Sequence, residues 1–154
     1  LYDKNLVYAR DLMKGLPEAR LAEQPAAGVN HPAWIIGHLA RTADFTLMQL
    51  NQPGITPRDW ADRFGGKSKP VADRSAYPGS AELLAALDRG HEAVKAALKN
   101  ADSALLDQPP AMEAVAKRWP VRWQLVIHTM TTHEMQHLGQ LSAWRRFLGF
   151  PSVY

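Results

Sequence analysis

The 154-residue chain contains no cysteine. This absence excludes disulfides, thiolate metal sites and a cysteine nucleophile, so any thiol chemistry needs a thiol from outside the protein. The chain also lacks an uninterrupted apolar run of roughly 18 residues, and its first residues, LYDKNLVYAR, lack the apolar centre of a signal peptide. We therefore expect a cytoplasmic protein with no membrane partner, although a chain that begins at Leu1 leaves a removed signal open.

The excess of positive over negative charge is also small. The formal net charge is +3, and the densest basic clusters, Lys117-Arg118 and Arg145-Arg146, are pairs and not patches. So small and dispersed an excess does not favour a nucleic-acid partner. Apolar side chains are plentiful at 46% of residues, and a domain of this length buries roughly 68–70% of the surface of its unfolded chain. We predict one domain over residues 1–154 with a sizeable core.

Alternation of apolar and polar residues with the period of a strand is missing, whereas apolar residues recur at helical spacing in four stretches. The predicted helices run from residue 1 to about 23, from 30 to about 51, from 80 to about 100 and from 121 to about 148. Asn30 and Ser80 are the expected N-caps of the second and third helices. This pattern predicts an all-α protein, an antiparallel four-helix bundle with a long crossover between helices 2 and 3.

The crossover, residues 52–79, contains four of the eleven prolines. Thr56-Pro57 is typical of a helix start, and Trp60 and Phe64 follow at i, i+4, so we expect one short helix within the crossover. Connections of this length are uncommon unless they serve a function. We expect this one to cover one end of a site.

Three hydrophilic residues of the last predicted helix lie on the face that the helix must bury. At about 100° per residue, His133, Glu134 and His137 share an arc with apolar residues (Trp123, Leu141, Trp144). Burying a polar group without a partner costs roughly 1–3 kcal/mol. His133 and His137 are i, i+4 neighbours, and His38 faces inward on the second helix. If these helices pack together, the three imidazoles can bind one metal ion and leave positions open for water or substrate.

Each of these polar residues also has a structural interpretation. A lone inward histidine such as His38 is more often a core residue that is satisfied by a hydrogen bond. Glu134 is the candidate general base, or a carboxylate that supports a ligand, and the alternative is a buried ion pair with an arginine such as Arg41. Gln140 is placed to hydrogen-bond a ligand imidazole, three residues after His137.

Aromatic residues and the remaining histidines are less specific. Trp34 and Trp144 lie one or two turns from the predicted ligands and are candidates to line a pocket, although tryptophans at helical spacing are more often core residues. His31 and His128 are expected to be partly exposed or to support the site, and His91 to be a satisfied core or rim residue.

Gly37 and Gly139 each adjoin a predicted ligand inside a helix. Glycine costs roughly 1 kcal/mol relative to alanine at such a position. Close approach of a neighbouring helix would offset that cost, and simple tolerance of glycine is the alternative.

Residues 133–137 read HEMQH, which matches the H-E-x-x-H pattern of zinc metalloproteases. Those proteases take a third ligand from further along the chain, but residues 138–154 contain no Asp, Glu or His. The E-x-x-H part also matches di-iron bundles, which need a second such element and two further glutamates. No other glutamate has a histidine three residues later. Both alternatives are disfavoured, and a mononuclear three-histidine site remains.

The segments NHPAWIIGHLA and HEMQHLGQLSAWRR, together with the order of helices and the long crossover, resemble the DinB-like superfamily of metal-binding bundles. The resemblance covers essentially the whole chain and places the metal ligands on His38, His133 and His137. It implies a divalent metal, usually zinc or nickel, and often a homodimer. In characterised relatives it implies transfer or isomerisation chemistry with a low-molecular-weight thiol such as bacillithiol or mycothiol, whereas many relatives have no known reaction.

Two functions follow from these residues. The first is a metal-dependent enzyme, a thiol-dependent S-transferase or isomerase that acts on a small molecule. The second is a metal-stabilised bundle without catalysis that serves as a binding or stress-response module. Because a catalyst needs open positions on its metal, the surroundings of the three histidines discriminate between the two.

Overall fold

The computed structural model describes residues 1–153, in which every regular element is a helix and no strand is present. The α-helices are α1 (Tyr2–Met13), α2 (Pro32–Gln49), α3 (Trp60–Phe64), α4 (Ser80–Lys99), α5 (Ser103–Leu106), α6 (Glu113–Ala116), α7 (Arg122–His128) and α8 (Glu134–Phe147). Short 3-10 turns occupy Glu18–Arg20 and Arg74–Ala76, and a π-helical turn, Thr129–His133, joins α7 to α8. The prediction of an all-α bundle is confirmed. In this part of the chain no helix combines the length and apolar character needed to cross a membrane.

The most buried helix is α2, which packs against α4 and α8. Ile35, Ile36 and Ala40 are completely buried, and so is Leu83 of α4. A helix that is apolar on nearly every side belongs in the interior. The polar side chains of α2, above all His38, are therefore held in surroundings that strongly favour hydrogen-bonded or metal-bound groups over free ones.

The first helix is shorter than predicted. It ends at Met13, whereas the spacing of apolar residues predicts a helix to about residue 23. Gly15 takes a positive φ of 75°, which breaks the helix, and Pro17 follows in an extended conformation. Leu21 is still completely buried, so the chain between α1 and α2 contributes to the core without being α-helical.

Two predicted helix caps are also wrong. The N-cap of α2 is His31, not Asn30, because the Nδ1 atom of His31 accepts a hydrogen bond from the backbone N–H of Trp34 at 3.2 Å. Neutral imidazole can serve as the acceptor that a serine or asparagine usually supplies. His31 is completely buried, which corrects the expectation of partial exposure. Gly79 caps α4, and Ser80 is the first helical residue.

The last helix of the bundle is interrupted by the π turn at Thr129–His133. A π turn has i→i+5 hydrogen bonds and accommodates more residues than an α turn, so it rotates the helix face that follows. Trp123, before the turn, is 42% exposed, although an unbroken α-helix predicts it to face the core with Leu141. Leu141, after the turn, is completely buried. The prediction that Trp123 faces the core is therefore wrong.

The crossover contains the expected short helix, α3. Trp60 and Phe64 are buried on its inner face and pack against each other with ring centroids 4.8 Å apart. Trp60 has 2% of its surface exposed and Phe64 none. The crossover thus contributes core side chains, and Phe64 brings it into contact with α2 beside His38.

Candidate metal centre

Three histidines from two parts of the bundle converge on one point. His38 comes from α2, His133 is the last residue of the π turn, and His137 lies one turn into α8. One nitrogen from each ring lies within 4.8 Å of the others. The Nε2 atoms of His38 and His133 are 3.3 Å apart. The structure therefore brings together all three histidines that the sequence predicts as ligands.

Hydrogen bonds at the Nδ1 atom orient two of these rings, those of His38 and His137. The Nδ1 atom of His38 donates to the carbonyl oxygen of Phe64 at 2.7 Å, which leaves Nε2 as the free acceptor of the ring. The Nδ1 atom of His137 lies 3.1 Å from Oε1 of Gln140, and Asn30 Nδ2 donates to the same oxygen at 2.9 Å. Partners of this kind fix ring orientation and tautomer in metal sites. The role predicted for Gln140 matches this contact.

Burial keeps the three imidazoles uncharged. It lowers the pKa of His133 to about 3, with smaller contributions from the neighbouring His137 and His38. It also lowers the pKa of His137 to about 4, and the pKa of His38 in the same direction, although the hydrogen bond to Phe64 opposes the shift at His38. Neutral imidazole is the form that binds metals. The Nδ1 atom of His133 is buried without a partner among the described protein atoms.

The two predicted pocket tryptophans lie in different places. Trp34 stacks on His38, with ring centroids 4.6 Å apart and planes 7° from parallel, and its indole N–H donates to Ser68 at 3.0 Å. Trp34 thus supports the imidazole of a predicted ligand. Trp144 is buried elsewhere, where its indole N–H donates to the carbonyl oxygen of Glu23 at 2.7 Å and its ring stacks on Phe150. The structure does not bring Trp144 to the histidine cluster.

Glu134 is buried in the interior of the bundle, and its partner is a histidine. Its Oε1 atom lies 2.6 Å from Nε2 of His91, which is itself completely buried. The predicted alternative partner, Arg41, pairs instead with Asp44 at 3.4 Å. The predicted pairing of Glu134 with Arg41 is wrong, because each of the two residues has a different partner. The general-base role of Glu134 stays a prediction.

The carboxyl group of Glu134 is shielded from solvent. Burial raises the pKa of its carboxyl group, and the hydrogen bond to His91 opposes the shift. On its other face, His91 stacks against Tyr2, with ring centroids 3.7 Å apart. The pair therefore links α8 to α4 and α1. His91 is a core residue, as expected, but only its Nε2 atom is satisfied, because its Nδ1 atom has no hydrogen-bond partner among the described residues.

A cavity of about 430 Å³ opens beside the histidine cluster, within the usual size range of small-molecule sites. Its lining includes His38 and His133, two arginines, and apolar side chains from the crossover and from α7; the principal residues are Arg41, Phe45, Phe64, Arg118, Trp119 and Leu125. His128 also lines it, stacked on Trp119 at 4.6 Å and with its ring 5.9 Å from that of His133. The crossover thus borders the site, as expected.

Sequence reasoning missed Arg118 and Trp119. They follow the four-residue helix α6 in a stretch without helical periodicity, where no pattern predicts the direction of a side chain. The residue types are the one available signal, because arginine and tryptophan are enriched among the residues that dominate binding at protein interfaces.

The two glycines beside the ligands have different surroundings. A Cβ atom on Gly37 would overlap the ring of Phe64, whereas a Cβ atom on Gly139 would meet nothing within 4 Å. Close approach therefore explains Gly37, where the neighbour is a side chain of α3. Gly139 has no such neighbour and fits the alternative of simple tolerance.

We expect Gly37→Ala to lower the free energy of unfolding by about 1–3 kcal/mol, because the buried Phe64 ring has to move. The same movement displaces the carbonyl that holds His38, so affinity for a divalent metal should fall as well. Urea denaturation and a metal titration measure the two effects. Gly139→Ala is the matched control, expected to gain up to about 1 kcal/mol from helix propensity. Equal effects of the two substitutions would contradict this account.

Comparisons with known proteins and protein families identify a family for the chain. Neither the curated proteins nor the solved structures include a significant match to the chain. The family model of the DinB superfamily matches residues 1–141, which include all three clustered histidines. The chain belongs to the DinB superfamily.

Proposed function

We propose that the chain is a metal-dependent enzyme that acts on a small molecule. The observation that carries this proposal is the position of the clustered histidines: His38 and His133 form part of the wall of the cavity. A site that only stabilises a fold is usually closed by four protein ligands, whereas a catalytic site keeps a position for substrate. Three histidines beside a cavity fit the second description.

The donor set fits a divalent transition metal. Three neutral imidazoles suit zinc or nickel better than magnesium or calcium, which prefer oxygen ligands. Outer hydrogen bonds to His38 and His137 leave their Nε2 atoms available. When bound, such a metal supplies Lewis acidity, which lowers the pKa of a bound thiol or water and polarises a substrate oxygen.

The protein's own residues would hold and orient the reactants. Phe64, from the crossover, fixes the ring of His38 through its carbonyl and forms part of the cavity wall with its side chain. His128 lies at the cavity 5.9 Å from His133, and burial lowers its pKa. A neutral imidazole there can accept a proton from a bound reactant.

The reaction proposed is transfer or isomerisation with an external low-molecular-weight thiol, in a cytoplasmic homodimer. Support comes from the superfamily and from the composition, since a chain without cysteine cannot supply the thiol itself. Zinc and nickel are the proposed metals because of the superfamily and the three imidazole donors.

Metal content and thiol binding test the proposal together. Protein that is purified without a metal-affinity tag is expected to carry about one zinc or nickel ion per chain, measured by elemental analysis. The protein is then reloaded with cobalt(II), whose visible spectrum reports its ligands, and titrated with small thiols. A thiol that reaches the metal is expected to add a sulfur-to-cobalt charge-transfer band, because the thiolate is the form that binds.

Two results would count against the proposal. Absence of any stoichiometric divalent ion, in purified or reloaded protein, contradicts metal dependence altogether. Bound cobalt whose spectrum no thiol or other exogenous ligand alters indicates a closed site, which favours a metal-stabilised binding or stress-response bundle over an enzyme.

A further inference from the structure

The cavity beside the clustered histidines has positively charged groups on its wall but no negatively charged ones. None of its described lining residues is an aspartate or a glutamate, and two of them, Arg41 and Arg118, are arginines. Guanidinium groups stay charged at every physiological pH. Any bound divalent metal adds further positive charge. The cavity is therefore electrostatically suited to an anion and unsuited to a cation.

Arg118 is available for a ligand. Its side chain forms no salt bridge with any residue among those described, and its guanidinium lies 5.8 Å from the ring centroid of Trp119. It lines the cavity together with Trp119 and His128. A free guanidinium beside an aromatic ring is a common arrangement for binding a planar anion.

Arg41 is only partly engaged. It lies on α2 one turn beyond His38, and its contact with Asp44 is long, at 3.4 Å. The Asp44 carboxylate is already bound by backbone N–H groups, from Ile55 at 2.7 Å and from Thr56 at 3.2 Å, and by the Thr56 hydroxyl. Because a guanidinium has five N–H donors, Arg41 keeps donors for a ligand on its cavity side.

Besides the arginines, the histidines and two threonines, the wall is formed largely by apolar side chains. Phe45 of α2, Phe64 of α3 and Leu125 of α7 face the cavity, and Trp119 adds a further ring. A ligand that is anionic throughout would leave this apolar surface without a partner. The wall therefore fits a molecule with an anionic end and an apolar body.

We infer that the cavity selects small organic anions, whose carboxylate or phosphate is bound by Arg41 and Arg118 and whose apolar body packs against Phe45, Phe64 and Trp119. This inference deepens the proposed function by naming its substrate class, and it rests on that function only for the reaction at the histidines. Binding of the anion depends on the arginines and does not require the metal.

Direct binding to metal-free protein tests the inference. Three probes of similar shape are compared by calorimetry: cinnamate, phenyl phosphate and the neutral cinnamamide. We expect at least one anion to bind about a hundredfold more tightly than the amide, the effect of about one charge-assisted hydrogen bond from each of the two arginines. Arg118→Gln and Arg41→Gln should each remove about tenfold of the anion's affinity and leave that of the amide unchanged. The stronger of the two anions shows whether carboxylate or phosphate is preferred.

The control variant is Arg58→Gln. Arg58 borders a neighbouring surface depression that also contacts Arg41, but it does not line the cavity. It should bind the anions like the unmodified protein. Arg118→Lys keeps the charge and should retain more affinity than Arg118→Gln, and circular dichroism shows whether each variant is folded.

Three outcomes would overturn the inference: equal affinity for anions and amide, unchanged anion binding in both glutamine variants, or no binding of either anion. The metal proposal is tested separately by metal content. If the protein selects anions but binds no stoichiometric metal, the proposed function is contradicted and the anion site is supported. If it binds metal but does not select anions, the anion site is contradicted and the proposed function is not.

Discussion

Replacing His133 with alanine is expected to abolish stoichiometric metal binding and to leave a folded helical protein. His133 contributes one of the three clustered nitrogens, and its Nε2 atom lies 3.3 Å from that of His38. Loss of a group that merely supports a ligand weakens metal sites by about 10–100-fold. Loss of the ligand itself should therefore lower affinity by more than about a hundredfold. Competition with a metal-binding dye measures the change, and elemental analysis after gel filtration measures occupancy.

His128→Ala is the matched control for this experiment. His128 precedes the same π turn and lines the same cavity, but it does not belong to the three-histidine cluster. It should keep full metal occupancy. Circular dichroism should show the same helix content in both variants. Full occupancy in the His133 variant would mean that the ligands have been assigned to the wrong residues.

Glu134→Ala is expected to lower the free energy of unfolding by about 1–3 kcal/mol, the usual cost of leaving a buried hydrogen-bonding group without its partner. Glu134 is 3% exposed, and His91, which it contacts at 2.6 Å, is completely buried. The substitution leaves the imidazole of His91 without its acceptor between α1 and α4. Urea denaturation of metal-free protein measures this effect apart from any contribution of metal binding.

Two controls separate the buried pair from other effects of the substitution. Glu134→Gln keeps an oxygen that can accept from His91, and should cost at most about 1.5 kcal/mol. Glu113→Ala removes a carboxylate that is 85% exposed and paired with Lys117, and should change stability by less than about 1 kcal/mol. A loss in Glu134→Ala no larger than in Glu113→Ala would contradict a structural role for the pair.

The same variants bear on catalysis. If Glu134 is the general base, Glu134→Gln should lose activity while it keeps most of its stability and all of its bound metal. If its role is structural, activity and stability should fall together in the alanine variant, and the glutamine variant should remain active.

The three clustered histidines could be predicted from sequence because helical spacing still holds where each of them lies. His38 lies inside the unbroken helix α2. His133 and His137 are one α-helical turn apart, and Leu141 and Trp144, which define the buried face, lie on the same side of the π turn as His137. The spacing of about 100° per residue therefore predicts the buried face correctly on that side of the turn. It fails for Trp123, which lies on the other side.

The partners of these histidines could not be predicted in the same way. Phe64 supplies its carbonyl from the crossover, where no periodicity indicates which backbone atom will meet α2. The pairing of Glu134 with His91 depends on which helices are neighbours around the bundle, and helical spacing carries no such information. Likewise, the use of His31 as a helix cap could not be predicted, because histidine is not among the usual capping residues.

The π turn at Thr129–His133 has a consequence for aligning this chain with other helical proteins. A π turn is equivalent to one residue inserted into an α-helix. A gapless alignment with an uninterrupted helix can therefore match the inward face of α7 or that of α8, but not both. An alignment anchored on HEMQH needs a one-residue gap inside the turn before the cavity residues of α7, such as Leu125 and His128, are compared with their true counterparts.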